Sequence, residues 1–98
     1  MEVLSRRYRK SPDLVFRQIA GEFVLVPIRH DVADLEAVYT LAGVGARIWE
    51  LLDGERDGYA VLDQIVQEYD VTPDEVRTDL VEFLGELEAV QGIVPVVA

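Results

Sequence analysis

The 98-residue sequence contains no cysteine, a single histidine and two serines, and these shortages exclude most catalytic and metal-binding chemistry. Without cysteine the chain has no disulfide, no thiolate nucleophile and no thiolate zinc site. His30 lies in a polar turn whose two acids, Asp31 and Asp34, are too few partners for a structural or catalytic metal. Ser5 and Ser11 belong to the N-terminal stretch, so no Ser-His-Asp arrangement is indicated. We therefore expect no enzyme activity, no catalytic residue and no metal site.

The sequence also lacks a long apolar run and a complete dinucleotide-binding loop. Its longest apolar run, residues 23–28, is far shorter than the roughly 20 residues of a membrane span. The N-terminus lacks the apolar stretch of a signal peptide. Gly43 and Gly45 follow a predicted strand, but Ile48 stands where such a loop requires its third glycine. We expect a soluble, cytoplasmic protein with no membrane partner and no cofactor.

The whole chain has a formal net charge of −10, and basic residues are scarce outside its N-terminal third. Residues 1–30 carry six basic and three acidic side chains, whereas residues 31–98 carry three basic and sixteen acidic ones. The acidic part keeps the protein in solution and repels phosphate backbones. We expect residues 1–11 to be a flexible basic lead-in, residues 12–94 to form one domain, and residues 95–98 to be a tail.

Three short strands are predicted at residues 15–19, 22–28 and 35–41. The first two are rich in β-branched and aromatic residues and are separated by the tight turn Ala20-Gly21. The third alternates between apolar and polar residues with a period of two. Since a three-stranded meander has two edges, we expect the third strand to lie at one of them.

Three helices are predicted between residue 43 and about residue 90, where the apolar period becomes helical. The third helix has the most distinct start, with Thr72 as its N-cap, Pro73 at its first position and Glu75 at its third. The order of elements is βββααα. It predicts an α+β fold, a three-stranded antiparallel sheet followed by three helices, winged helix-turn-helix-like.

The third predicted helix is acidic, which argues against DNA as its partner. Arg77 is its single basic residue against six acidic ones, and such a helix repels the phosphates that a winged helix contacts. We therefore expect no nucleic-acid partner. Its apolar stripe, which includes Phe83, covers a core. The stripe extends on one flank over Arg77, Val81, Leu84 and Glu88. This flank forms a groove wall beside the edge strand, or Val81 and Leu84 simply widen the core.

Several segments resemble the PqqD family over roughly residues 12–94. The most specific is residues 48–54, Ile-Trp-Glu-Leu-Leu-Asp-Gly, which begins seven residues after the strand leucine, Leu41. The other similar segments are residues 16–19, 24–27, 39–41, 76–87 and 92–94. The sequence departs from the family at Ala42, where members often have an asparagine that caps the following helix.

The resemblance implies a recognition element for ribosomally synthesised, modified peptides. Such a winged-helix-like domain binds the leader of a precursor peptide between its third strand and third helix. It presents the leader to a modifying enzyme, such as a radical SAM protein or a leader peptidase. The implied peptide-binding residues are Glu36, Ala37, Val38, Tyr39, Thr40, Arg77, Val81, Leu84 and Glu88. The alternative is a winged-helix adaptor that has no precursor peptide and that docks on a protein, or forms a homodimer, through the edge strand.

Overall fold

The computed structural model describes residues 2–27 and 39–96, which form two small sheets and three α-helices. The elements are a 3₁₀-helix (Val3–Ser5), β1 (Tyr8–Lys10), β2 (Leu14–Ile19), β3 (Glu22–Pro27), β4 (Tyr39–Leu41), α1 (Gly43–Leu51), α2 (Gly58–Glu68), α3 (Pro73–Ala89) and β5 (Ile93–Pro95). This arrangement confirms the predicted α+β class. It adds a second sheet, made of β1 and β5, that the sequence analysis does not predict.

The larger sheet contains β2, β3 and β4 in that order, and all its pairs are antiparallel. The turn between β2 and β3 consists of Ala20 and Gly21, whose φ angles are 52° and 82°. Two residues with positive φ are typical of the tight turn that follows the twist of a hairpin. In this sheet β4 is an edge strand, as predicted. Residues 35–38 of the predicted third strand lie outside the described residues.

The second and third helices begin at the residues that their caps predict. The Thr72 Oγ1 accepts a hydrogen bond of 3.3 Å from the Glu75 amide, and a proline follows the cap. The Asp57 Oδ1 accepts a hydrogen bond of 2.9 Å from the Ala60 amide at the start of α2. In contrast, α1 begins after Ala42 without a side-chain cap, because alanine has no acceptor to offer.

The expectation of a flexible lead-in at residues 1–11 and of a tail at residues 95–98 is wrong for the residues that the structure describes there, 2–11 and 95–96. Leu4 and Tyr8 are each only 1% exposed, and β1 pairs along its length with β5. The predicted tail begins inside β5, and the Val96 amide donates a hydrogen bond of 2.8 Å to the Arg7 carbonyl. Both ends of the described chain are therefore part of the folded domain.

The N-terminal segment has an apolar side that its arginine-rich sequence does not indicate. Arg7 and Arg9 are exposed, and Tyr8 between them is buried, because successive side chains of a strand face opposite sides. The Lys10 Nζ donates a hydrogen bond of 2.9 Å to the Leu52 carbonyl and lies 5.1 Å from the centre of the Trp49 ring. A count of charges alone thus predicts solvent exposure for a segment that contributes to the core.

The 3₁₀-helix lies directly against the first turn of α2. A Cβ atom at Gly58 would lie 2.7 Å from the Leu4 Cα and 2.8 Å from the Leu4 carbonyl oxygen. Only glycine permits so close an approach. The Gly58 amide also donates a hydrogen bond of 3.2 Å to the Arg6 carbonyl, which fixes the N-terminal segment on α2.

The core lies between the larger sheet and the helices, and its fully buried side chains come from nearly every element. Its largest members are Trp49, Tyr8, Leu4, Leu25, Leu52, Ile65, Leu80, Leu84 and Ile93. Over residues 2–27 and 39–96, no helix combines the length and the apolar character that crossing a bilayer requires.

Candidate functional site

A groove runs between α3 on one side and β4 and α1 on the other, and it consists of two open depressions. The first, of about 300 Å³, lies between β4 and the C-terminal half of α3 and is lined by Tyr39, Leu41, Phe83, Glu86, Leu87, Ala89 and Val90. The second, of about 310 Å³, lies between α1 and α3 and is lined by Val44, Gly45, Ile48, Asp79, Glu82, Phe83 and Glu86. Phe83 and Glu86 line both depressions, so the two are adjacent and together make up the groove.

The edge strand β4 supplies one wall of the groove. Its pairing with β3 sets Leu41 opposite Phe23 and Thr40 opposite Val24. Tyr39 and Leu41 therefore face the groove and are half-buried, whereas Thr40 points away from it and is exposed. Among the described residues, β4 has a partner strand on one side only. Within residues 2–27 and 39–96, no strand pairs with the backbone groups of its other side, which is the arrangement that accepts an additional strand.

Phe83 forms the divide between the two depressions. Its side chain is half-buried, packed against the core on one side and open to the groove on the other. Across the second depression it faces Gly45, where an added Cβ would lie 3.7 Å from the Phe83 Cζ. The missing side chain at Gly45 thus leaves room in the groove beside the aromatic ring.

The groove has an apolar floor and an acidic rim. The carboxylates of Asp79, Glu82 and Glu86 lie along the side formed by α3. Within the part of the chain that the structure describes, the ion pairs involve Arg47 and Arg56, and none reaches these three acids. That part also contains no group of three or more histidine, cysteine or acidic side chains that could hold a metal ion.

The predicted binding residues on the strand fall partly within this groove. Tyr39 lines the first depression, and Thr40 lies on the same edge strand. Glu36, Ala37 and Val38 lie outside the described residues. The structure therefore brings the described end of the predicted binding strand next to α3.

The predicted groove wall on α3 needs a correction at Leu84. Its side chain is 0% exposed and belongs to the core, so it has no surface to offer a ligand. Phe83, expected in the core stripe, lines the groove instead. The reason is the packing of α3, which contacts α2, β5 and the 3₁₀-helix on the Leu84 side. Helical periodicity alone centres the stripe on Val76 and includes Phe83, whereas the buried residues of α3 are Val76, Leu80, Leu84 and Leu87.

The other three predicted helix residues lie on the flank of α3 that faces α2 and β1. The Arg77 Cζ lies 6.0 Å from the centre of the Tyr59 ring at the start of α2. The Tyr8 hydroxyl donates a hydrogen bond of 2.9 Å to the Glu88 carboxylate, and burial raises the pKa of this hydroxyl. Val81 is exposed between them. A peptide-binding role for Arg77, Val81 and Glu88 stays an alternative to the groove, because it concerns a different surface of α3.

The groove residues that the sequence analysis missed carry one recognisable signal. Asp79, Glu82, Phe83 and Glu86 are spaced so that they share one side of a helix, an acidic margin with an aromatic residue in it. This margin borders the buried stripe of α3 on the side opposite to the flank of Arg77 and Val81, where the sequence analysis places the groove wall. The sequence alone does not identify this margin as part of the groove, because that depends on which flank of α3 packs against the rest of the chain.

Comparisons with known proteins agree with this architecture. The family model described as "Coenzyme PQQ synthesis protein D (PqqD)" matches residues 22–93, from the start of β3 to the start of β5. A solved structure described as "TbiB1 in Complex with the TbiA(beta) Leader Peptide" superimposes with a TM-score of 0.77 at 28% sequence identity. The match covers 92% of this chain and 99% of that one. No curated protein matches the chain in sequence.

Proposed function

Because the chain belongs to the PqqD family, we propose that it is a recognition element that binds the leader of a ribosomally made precursor peptide. The similar structure, TbiB1, is in complex with a leader peptide, and the match covers nearly the whole length of both chains. The observation that carries the proposal is the position of β4, an edge strand among the described residues, directly beside the groove on α3. Recognition modules that add a peptide strand have this combination of features.

The leader binds as an additional strand on β4. Its backbone pairs with the backbone groups that β4 directs away from β3, and these hydrogen bonds provide affinity for any extended segment. Every second side chain of the leader then faces the groove between β4 and α3. Tyr39, Leu41 and Phe83 contact those side chains and select among leader sequences.

The domain holds the leader, and a separate enzyme performs the chemistry. We propose a modifying enzyme of the radical SAM or leader-peptidase type as the second partner, and the cytoplasm, where precursor peptides are made, as the place of the encounter. The domain itself is not catalytic in this proposal. The support is its family. The lining of the groove combines apolar side chains with carboxylates, a composition that suits the binding of a peptide.

The direct test is a titration of the protein with a synthetic leader, taken from a short reading frame beside its gene, together with the variants Tyr39→Pro and Thr40→Pro. Proline removes one backbone donor, and the donors of neighbouring residues in an edge strand point to opposite sides. The variant that loses a donor directed at β3 should be destabilised. The variant that loses an outward donor should stay folded and lose leader affinity. Unchanged affinity in every folded variant would exclude strand addition.

A second form of this experiment leaves the protein intact. N-methylation of single leader residues removes one donor at a time from the peptide. If the leader pairs with β4, methylation should weaken binding at alternate positions only. Uniform tolerance to methylation would mean that the leader does not bind as a strand.

The matched control lies on the other flank of α3. Arg77→Ala and Val81→Ser alter exposed side chains that face away from the groove, so leader affinity should be unchanged. If either variant lowers the affinity as much as a substitution at Phe83 does, the leader binds the flank toward α2. The strand β4 would then not be its binding element.

A further inference from the structure

We propose that the groove selects leaders that combine a bulky apolar side chain with lysine or arginine, and that the two kinds of side chain enter separate depressions. This inference rests on the proposed function, since it names the chemistry of the peptide that the same groove binds. It is carried by the difference in lining between the two depressions, which meet at Phe83.

The depression beside β4 suits an apolar side chain. Apart from Glu86 at its margin, its lining consists of aliphatic and aromatic residues. Tyr39, Leu41 and Leu87 form its walls, and Leu87 belongs to the buried core. A bulky apolar side chain of the leader would extend that core and leave water at the same time.

The depression beside α1 suits a cation. Three carboxylates, those of Asp79, Glu82 and Glu86, lie along its α3 side. Since the described residues bring no basic side chain to these three acids, the depression keeps a negative excess. A lysine or arginine of the peptide would neutralise it.

The spacing of the acids matches an extended peptide. From Asp79 to Glu86 the helix advances by about 10 Å, at about 1.5 Å per residue. Side chains on the same side of a strand are about 6.6 Å apart. Two basic residues at positions i and i+2 of the leader therefore fit within the length of the acidic margin. The apolar side chain lies beyond them, on the other side of Phe83.

The test is a selection from a library of random displayed peptides that are long enough to pair with β4. The protein is compared with a triple variant that neutralises the groove acids, Asp79→Asn, Glu82→Gln and Glu86→Gln. The matched control neutralises three exposed acids elsewhere, Glu55→Gln, Asp63→Asn and Asp70→Asn, and so has the same net charge. A Phe83→Ser variant measures how much of the binding depends on the groove.

We expect the unmodified protein and the matched control to enrich peptides with an apolar residue and nearby basic residues. The triple variant should enrich apolar peptides without basic ones. A selected peptide should bind the triple variant about tenfold more weakly at low salt, and the difference should shrink at about 0.5 M salt.

Two results would overturn the inference but leave the proposed function standing. In the first, the unmodified protein enriches apolar peptides that carry no basic residue. In the second, the unmodified protein, the triple variant and the matched control enrich basic residues equally. The second result would mean that the negative charge of the whole protein attracts basic peptides and that the three acids of the groove do not select them. Enrichment that is the same with Phe83→Ser would instead contradict the proposed function itself.

Discussion

Phe83 and Leu84 are neighbours on α3, yet the Leu84 side chain is completely buried and the Phe83 side chain opens into both depressions of the groove. One step along a helix rotates the side chain by about 100°. This single step crosses the boundary between the core and the proposed binding surface. The two positions therefore separate the stability of the domain from its recognition of a peptide.

The first prediction uses this boundary. Leu84→Ser should lower the free energy of unfolding by roughly 3–5 kcal/mol, because it leaves a cavity and a hydroxyl in the core. Phe83→Ser should keep the cooperative unfolding transition and weaken leader binding by about 1–3 kcal/mol. Chemical denaturation and a leader titration measure the two effects. The assignment is wrong if folded Phe83→Ser binds the leader as the unmodified protein does.

The second prediction concerns the contact between the N-terminal segment and α2. Gly58→Ala would push a Cβ atom into the backbone of Leu4, so we expect a loss of about 1–3 kcal/mol in the free energy of unfolding. Gly85→Ala is the matched control, because apart from the backbone of α3 itself and the two neighbouring residues no atom lies within 4 Å of a Cβ at this position. It should stabilise the helix by up to about 1 kcal/mol. Equal stability of the two variants would mean that residues 3–5 do not pack on α2.

The third prediction is a pH dependence that arises from Glu68. The Arg47 guanidinium donates two hydrogen bonds of 2.7 Å to its carboxylate, and Gln64 donates a third. These bonds lower the pKa of Glu68 from an ordinary 4.5 to about 2. Between these two values the unfolded chain binds more protons than the folded one, so stability rises with pH. The contribution is complete above the ordinary pKa and is lost as the pH falls toward 2.

Melting temperatures at about pH 3 and about pH 6 test this account. The unmodified protein should lose more stability on acidification than Glu68→Gln, because the variant has no proton to gain at this site. The effect should be modest, since the pair between α1 and α2 is exposed to solvent. Parallel losses in the two proteins would show that the pair does not contribute.

The parts of the fold that the sequence predicts are those governed by local interactions. The Thr72 cap depends on residues within one helical turn, and the hairpin turn at Ala20 and Gly21 depends on two backbone conformations. The start of α2 at Asp57 is local in the same sense. Each of these features was predicted within a residue or two, because no distant part of the chain decides it.

The parts that the sequence does not predict depend on distant partners. β1 is ordered by β5, more than eighty residues away, and by the burial of Leu4 and Tyr8. This packing also determines which flank of α3 is covered, and Leu84 lies on the covered flank. Helical periodicity identifies the apolar stripe of α3, but only its neighbours determine where the stripe ends and the groove begins.

The most direct measurement of the central claim is the change in backbone amide chemical shifts of the isotope-labelled protein during a titration with the leader. We expect the largest changes at residues 39–41 and along the groove side of α3, at Glu82, Phe83 and Glu86. The Arg77 and Val81 amides should change little. Changes concentrated on the flank that contains Arg77 and Val81, with β4 unaffected, would contradict leader recognition by strand addition in the groove.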